Sequence, residues 1–282
     1  MESQATTSFC KLSQNYRIMK LLFSEASQDY KNYIFPYVIW GIPEAHDSIA
    51  NMFSHGFLPS GAALEKFYLC RNLRVDLKTF KLSSENRRII RKCENISYQL
   101  IRRDQWDYTE EKRAFFKRYA DSKFGKDTMS FERLDNLFNG KLVTDLLVFQ
   151  DQETGSEVGT VALFTQPSRM SFFYFSFYDL EYVKKNLGMY MMTRAVQLFQ
   201  KLEYNYIYLG TVYSKESLYK TNFSSTEFFN GLEWSCDMKQ LKFLIDRSSK
   251  QSDKHLLESE NFINLYYPDG YGAIAEKSHY QV

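Results

Sequence analysis

The sequence predicts an α+β protein in which a mixed central sheet is flanked by helices, and three observations carry that expectation. Within residues 171–223 a strand, a helix and a second strand follow one another with short joints, which makes a βαβ unit whose strands run parallel. Ahead of it, from Val143, strand-like runs separated by turn residues read as a meander. Before residue 140, short strands and helices alternate.

The elements are expected in the following order. The chain has 282 residues, 44% of them apolar, enough for one large domain or two ordinary ones. Residues 1 to about 30 are polar apart from the run 16–23, and the aromatic and β-branched stretch 31–41 reads as a strand. A helix over 45–55 stops at Gly56, and 67–70 and 73–77 are short strands. Ser83 or Ser84 caps a helix over 85–92 whose first turn carries Glu85, the charge that suits a helix N-terminus. Helices over 110–124 and 130–138 end at Gly125 and Gly140. Strands then occupy 143–149, 158–164 and 172–178. In the helix over 187–202, Met192, Ala195, Phe199 and Leu202 form an apolar stripe, widened by Met191 and Leu198 and read as core packing. A strand over 206–209 ends at Gly210, 211–225 is loop, and a last strand covers 240–245. A polar linker over 248–254 leads to an aromatic tail without pattern. The expected divisions are 1–140, 141–247 and a tail 248–282.

Net charge is only +2, but between Arg71 and Arg103 ten basic residues face three acidic ones, leaving the rest of the chain at −5. Such asymmetry points to a polyanionic partner. On the helix over 85–92, Arg87 lies four residues before Arg91 and Arg88 four before Lys92. Like charges at that spacing repel by a few tenths of a kcal/mol, about 0.2–0.5, so the four cations read as a phosphate-binding face. The cysteines at 10, 70, 93 and 236 have neither metal-ligand spacing nor a disulfide pattern, which fits a reducing compartment and no metal site. No secretory leader and no membrane-length apolar run is present, so a cytoplasmic protein is expected.

The turn over 184–190 sits where an acyltransferase of the GNAT fold carries its phosphate loop, whose exposed amides at a helix N-terminus cradle a pyrophosphate. Its pattern is roughly Arg/Gln-x-x-Gly-x-Gly/Ala. Here Lys185 takes the first position and Gly188 the middle one, while Tyr190 replaces the last small residue. A phenol there is expected to obstruct coenzyme A, so the layout suggests acyl transfer with another donor.

The joint order of several motifs resembles the arginyl-tRNA-protein transferases and the related bacterial leucyl-transferases of the N-degron pathway. The motifs are Phe177-Tyr178-Asp179, Asn186-Leu187-Gly188, Tyr208-Leu209-Gly210 and Tyr219-Lys220-Thr221-Asn222-Phe223, together with Gly56-Phe57, Ser60-Gly61, Tyr68, Cys70 and Arg74. Ser83-Ser84-Glu85-Asn86-Arg87-Arg88 resembles the family's Ser-x-Ser-Gln-Arg-Arg. The likeness covers roughly residues 50–245. The chain departs from the family in keeping only Cys70 of its cysteine cluster and in having Phe164 and Thr165 where an acid is usual.

What the resemblance implies is a GNAT-like fold, in one or two such halves, and transfer of an amino acid of Arg or Leu type from an aminoacyl-tRNA to the N-terminal amine of a protein. It implies no cofactor beyond the charged tRNA. Tyr178, Asp179, Tyr219 and Lys220 are the expected catalytic group; Gly188, Tyr190, Tyr208, Gly210 and Asn222 line the substrate. Arg74, Arg87, Arg88, Arg91 and Lys92 are expected to hold the acceptor stem by its phosphates. The competing classes are an acetyl-CoA-dependent acetyltransferase and a non-catalytic tRNA- or protein-binding relative.

Overall fold

The computed structural model describes residues 19–26, 29, 31, 36–45, 47–126, 128–248 and 255–280. Cys10, most of the polar N-terminal stretch and the linker over 249–254 lie outside the described residues. In chain order the elements are β1 (Lys20–Glu25), β2 (Tyr37–Ile42), α1 (Ile49–Ser54), β3 (Phe57–Pro59), β4 (Phe67–Leu69), β5 (Asn72–Asp76), α2 (Ser84–Lys92), β6 (Ile96–Arg102), α3 (Glu110–Phe124) and α4 (Phe131–Asn139). They continue with β7 (Asp145–Asp151), β8 (Glu157–Gln166), β9 (Met170–Tyr178), α5 (Leu187–Lys201), β10 (Tyr206–Thr211), β11 (Thr226–Phe229), β12 (Trp234–Ser235), α6 (Met238–Ser248), α7 (Glu260–Tyr266) and α8 (Gly270–Lys277).

Two sheets result: a four-stranded one in the order β1-β2-β4-β3, and an eight-stranded one in the order β12-β11-β5-β10-β9-β8-β7-β6. The larger sheet is mixed and α+β as expected, with β9 and β10 parallel and the other pairs antiparallel. Its strands come from both sides of residue 140, so the expected boundary there does not separate two sheets. Its middle strands are buried on both faces, which is why β8 reads as a nearly unbroken apolar run. One face packs on α2, α5, α6 and the C-terminal helices through Ile89, Met191, Phe199, Leu241 and Phe262. The other packs on α3 and α4 through Phe116, Ala120, Leu134 and Phe138. Among the described residues no helix is long and apolar enough to cross a membrane.

Local signals set the helix ends. At α2, Ser83 Oγ accepts from the Asn86 amide at 3.0 Å while Asn86 Oδ1 accepts from the Ser83 amide at 3.1 Å, a reciprocal cap. α3 starts at Thr109, whose side chain accepts from the Lys112 amide, and stops at Gly125 with φ of 92°.

Four expectations change. Residues 240–245 are not a strand but part of α6. Leu241, Phe243 and Ile245 alternate as in a strand, yet the helical set Gln240, Leu241, Leu244 and Ile245 is the buried one. The aromatic tail forms α7 and α8, anchored by buried Phe262 and Ile274. The segment taken as loop contains a 3-10 turn, Lys215–Thr221. β6 was not anticipated; it pairs with β7 along all seven residues at the sheet edge.

The position of the cleft follows from β9 and β10. Their parallel pairing joins Tyr206 to Met170, Ile207 to Ser171 and Tyr208 to Phe172, and it stops there. At Gly210, with φ of 82°, β10 shifts register against β5, while β9 runs on to Tyr178. The two strands therefore splay toward their C-terminal ends, beside the N-terminus of α5.

Candidate active site

At the end of β9 and the start of α5 lies a cleft of about 390 Å³. β9 contributes Ser176 and Tyr178, and the turn into α5 contributes Asn186, Gly188, Met189 and Met192. α2 adds Glu85 and Ile89, α3 adds Tyr119, and the 3-10 turn with the residue after it adds Tyr219 and Asn222.

The α5 turn is built for close approach. Asn186 takes the left-handed conformation, φ 63° and ψ 37°, which asparagine tolerates better than most residues. Its side chain makes no capping bond, so the first amides of α5 turn their positive end to the cleft. Glycine at 188 lets Tyr178 rest against the turn, because a Cβ there would come within 2.9 Å of the Tyr178 ring and hydroxyl and push that side chain aside.

Three phenols mark the cleft. Tyr119 and Tyr178 have ring centroids 4.8 Å apart, with the planes tilted by 56°. Burial pushes the Tyr119 hydroxyl well above the usual phenol range, so it stays protonated and available as a donor. Burial also raises Tyr219. Beyond the dividing wall of Tyr119 and Tyr178 a second hollow of about 310 Å³ opens, lined also by Phe115, Arg118, Asp179 and Leu180.

Lys220 belongs to the same 3-10 turn as Tyr219 and serves the splay. Its Nζ donates to the Thr211 carbonyl at 3.0 Å, at the end of β10. A Cβ on Gly210 would stand 3.7 Å from that nitrogen. Burial lowers the Lys220 ammonium to about 8, from an ordinary lysine value of 10.5.

The structure thus brings Tyr178, Gly188, Tyr219 and Asn222 together at one cleft, with Lys220 and Gly210 at the strand end behind the turn. Asp179 lines the adjoining hollow, and its Oδ1 accepts from the Glu181 amide at 2.9 Å. Three expected site residues lie elsewhere. Tyr190 is 1% exposed and donates its hydroxyl to the Ile96 carbonyl at 2.6 Å; the fourth residue of α5 points into the core, so its ring does not obstruct the loop. Tyr208 is buried, with its ring 5.0 Å from Phe53 and 5.9 Å from Trp234. Arg74 is 8% exposed, its guanidinium 4.0 Å from the Tyr206 ring and 3.9 Å from the Trp234 ring, with Nε 2.7 Å from Glu227. It clamps β5, β10 and β12 together and is not presented to an RNA. Arg87, Arg88, Arg91 and Lys92 are all exposed on α2.

Sequence reasoning missed Glu85, Ile89, Tyr119, Ser176, Asn186, Met189 and Met192 as cleft residues. In the sequence Tyr119 falls at helical spacing with Phe115, Phe116 and Ala120 and has the signature of a stripe residue, and Glu85 has that of a dipole partner. In the structure Arg88 Nε donates to Glu85 Oε2 at 2.6 Å, and Nη2 reaches Oε1 at 2.5 Å.

Comparison with known proteins bears on the same region. A relative, the aspartate/glutamate leucyltransferase of Ruegeria pomeroyi, is 23% identical over 210 residues, 71% of this chain and 73% of that protein. Among solved structures, L-PGS from Bacillus licheniformis superposes with a TM-score of 0.39 at 15% identity, over 58% of this chain and 51% of that one. A GCN5-related glucosamine N-acetyltransferase region of a fungal multi-domain β-N-acetylglucosaminidase gives 0.37 at 16%, over 56% and 19%. This chain spans about half the length of the first structure and a fifth of the second. At such TM-scores neither adds to what the sheet topology says of the fold. Residues 97–230, which include β9, the α5 turn and the Tyr219 turn, match the family described as arginine-tRNA-protein transferase, C terminus. The splayed strands, the open N-terminus of α5 and the motifs from Phe177 to Phe223 fall within that match, which spans just under half of the chain.

Proposed function

We propose that the protein moves an amino acid of Arg or Leu type from the 3′ end of an aminoacyl-tRNA to the N-terminal amine of a protein beginning with Asp or Glu, an N-degron modification made in the cytoplasm. The observation that carries this reading is the pair of hollows divided by Tyr119 and Tyr178, lined mostly by residues of the stretch that matches the family. The larger one takes the aminoacyl ester. The smaller takes the acceptor, with Asp179 facing its amine and Arg118 its acidic side chain; the relative's name supports that choice of acceptor.

An α-amine has a pKa of about 7.7–8.0, so near neutrality it needs little help to lose its proton. Its lone pair attacks the ester carbonyl, the C–N bond forms, the bond to the ribose 3′-oxygen breaks, and the amine's proton ends on that oxygen. The demands on the protein are alignment and a home for the tetrahedral oxyanion. The Tyr178 and Tyr219 hydroxyls and the first amides of α5 supply donors, and no cofactor besides the tRNA is required. α2 meets the acceptor-stem phosphates with Arg87, Arg91 and Lys92.

The test is incubation with arginyl- and leucyl-tRNA and peptides starting with Asp, Glu or Ala, followed by mass measurement. An added Arg or Leu on the acidic peptides is expected; tRNA binding without any product would overturn the assignment. Acetyl transfer from acetyl-CoA is the second reading, favoured by the retreat of Tyr190 into the core. A coenzyme A titration without a binding isotherm excludes it.

A further inference from the structure

Glu85 is the one carboxylate among the residues that line the larger cleft, and none of those residues is Lys, Arg or His. Tyr119, Tyr178 and Tyr219 supply aromatic surface around it, with Met189 and Met192. An exposed carboxylate at the rim of a cleft lined by aromatic rings is a setting that attracts a cation. In the empty cleft the cation is the protein's own Arg88, bound to Glu85 through two nitrogens. Arg88 belongs to the same exposed face of α2 as Arg87, Arg91 and Lys92.

We infer that Glu85 receives a cationic amine from the aminoacyl end of the tRNA, and that this exchange releases Arg88 to the phosphate backbone. The inference rests on the proposed function and adds a specificity residue and a coupling to it. Recognition of the charged 3′ end and grip on the RNA then reinforce each other, and by linkage each strengthens the other by the same factor. An uncharged tRNA leaves Arg88 tied to Glu85 and binds with one phosphate contact fewer. The amine has two possible sources, the α-ammonium that every aminoacyl ester carries and the side chain of a basic aminoacyl group.

The experiment measures affinity across a salt series for uncharged, N-acetyl-leucyl, leucyl and arginyl tRNA, joined by a stable 3′-amide, to the wild type, Glu85→Gln and Glu85→Ser. The wild type is expected to prefer amine-bearing tRNA over the uncharged and acetylated forms by about tenfold, a typical coupling magnitude. Equal gains for leucyl and arginyl tRNA identify the α-ammonium, and a gain for arginyl alone identifies the side chain. Both variants should lose the preference and bind uncharged tRNA more tightly. Their salt dependence should steepen by about one phosphate contact, roughly 0.7–0.9 in the log–log slope. A preference that survives both substitutions, or an unchanged slope, overturns the inference while leaving the transferase reading intact. Absence of any tRNA binding by the wild type would instead remove the reading itself.

Discussion

A Cβ on residue 188 would stand 2.9 Å from the hydroxyl oxygen of Tyr178, nearer than real Cβ atoms approach a neighbour. The glycine and the tyrosine therefore hold each other in place. The Tyr178 side chain can lie against the helix turn in this position only because the turn has no side chain at that point.

Gly188→Ala follows directly. The atoms it meets belong to a ring that can swing, so the backbone need not move, and alanine gains up to about 1 kcal/mol of helix propensity over glycine. The melting temperature should stay within a few degrees of the wild type. Transfer activity should fall by about a hundredfold, because the Tyr178 hydroxyl is displaced from its station. An active Gly188→Ala enzyme would remove Tyr178 from the reaction.

Tyr119→Phe keeps the ring that packs on Phe124, Phe177 and Tyr178 and deletes the hydroxyl at the cleft. Loss of that hydroxyl should cost no more than about 1 kcal/mol of stability. The expected signature is a fall in kcat of about tenfold or more at nearly constant KM for tRNA, read in a steady-state assay. A change confined to KM would make Tyr119 a binding residue only.

Lys220 imposes a pH-dependent cost. Its folded pKa, about 8, lies below the ordinary 10.5, so in that window the unfolded chain binds more protons and stability rises with pH. The cost is fully present below about pH 8 and fades as pH approaches 10.5. Lys220→Met should therefore be more stable than the wild type at pH 7, with the difference shrinking in urea titrations as pH rises to 10. A constant difference would mean that the lysine is not desolvated.

Arg74→Ala and Arg87→Ala should part company. Arg74 is buried between Tyr206 and Trp234 and paired with Glu227, so its loss should cost about 2–4 kcal/mol of stability, while the molecules that remain folded keep their tRNA affinity. Arg87→Ala should leave the melting temperature unchanged, weaken tRNA binding and flatten its salt slope by nearly one unit. Denaturation and binding on the same preparations decide between them.

Much of the fold was legible because it is written in local terms. The bounds of α3 follow from Thr109 and Gly125, the cap of α2 from Ser83 and Asn86, and the parallel pairing of β9 with β10 from a strand, a helix and a strand joined by short turns. Each depends on periodicity, on capping or on short joints between elements that follow one another in the chain, where local signals act without knowledge of the rest. Only the tertiary structure could insert β5 between β10 and β11, turn Tyr190 inward, bury Arg74 and carry Glu85 and Tyr119 to the edge of one cleft. Those outcomes depend on pairings across some hundred residues, and an exposed carboxylate or a stripe tyrosine has the same local signature whether it faces solvent, core or substrate.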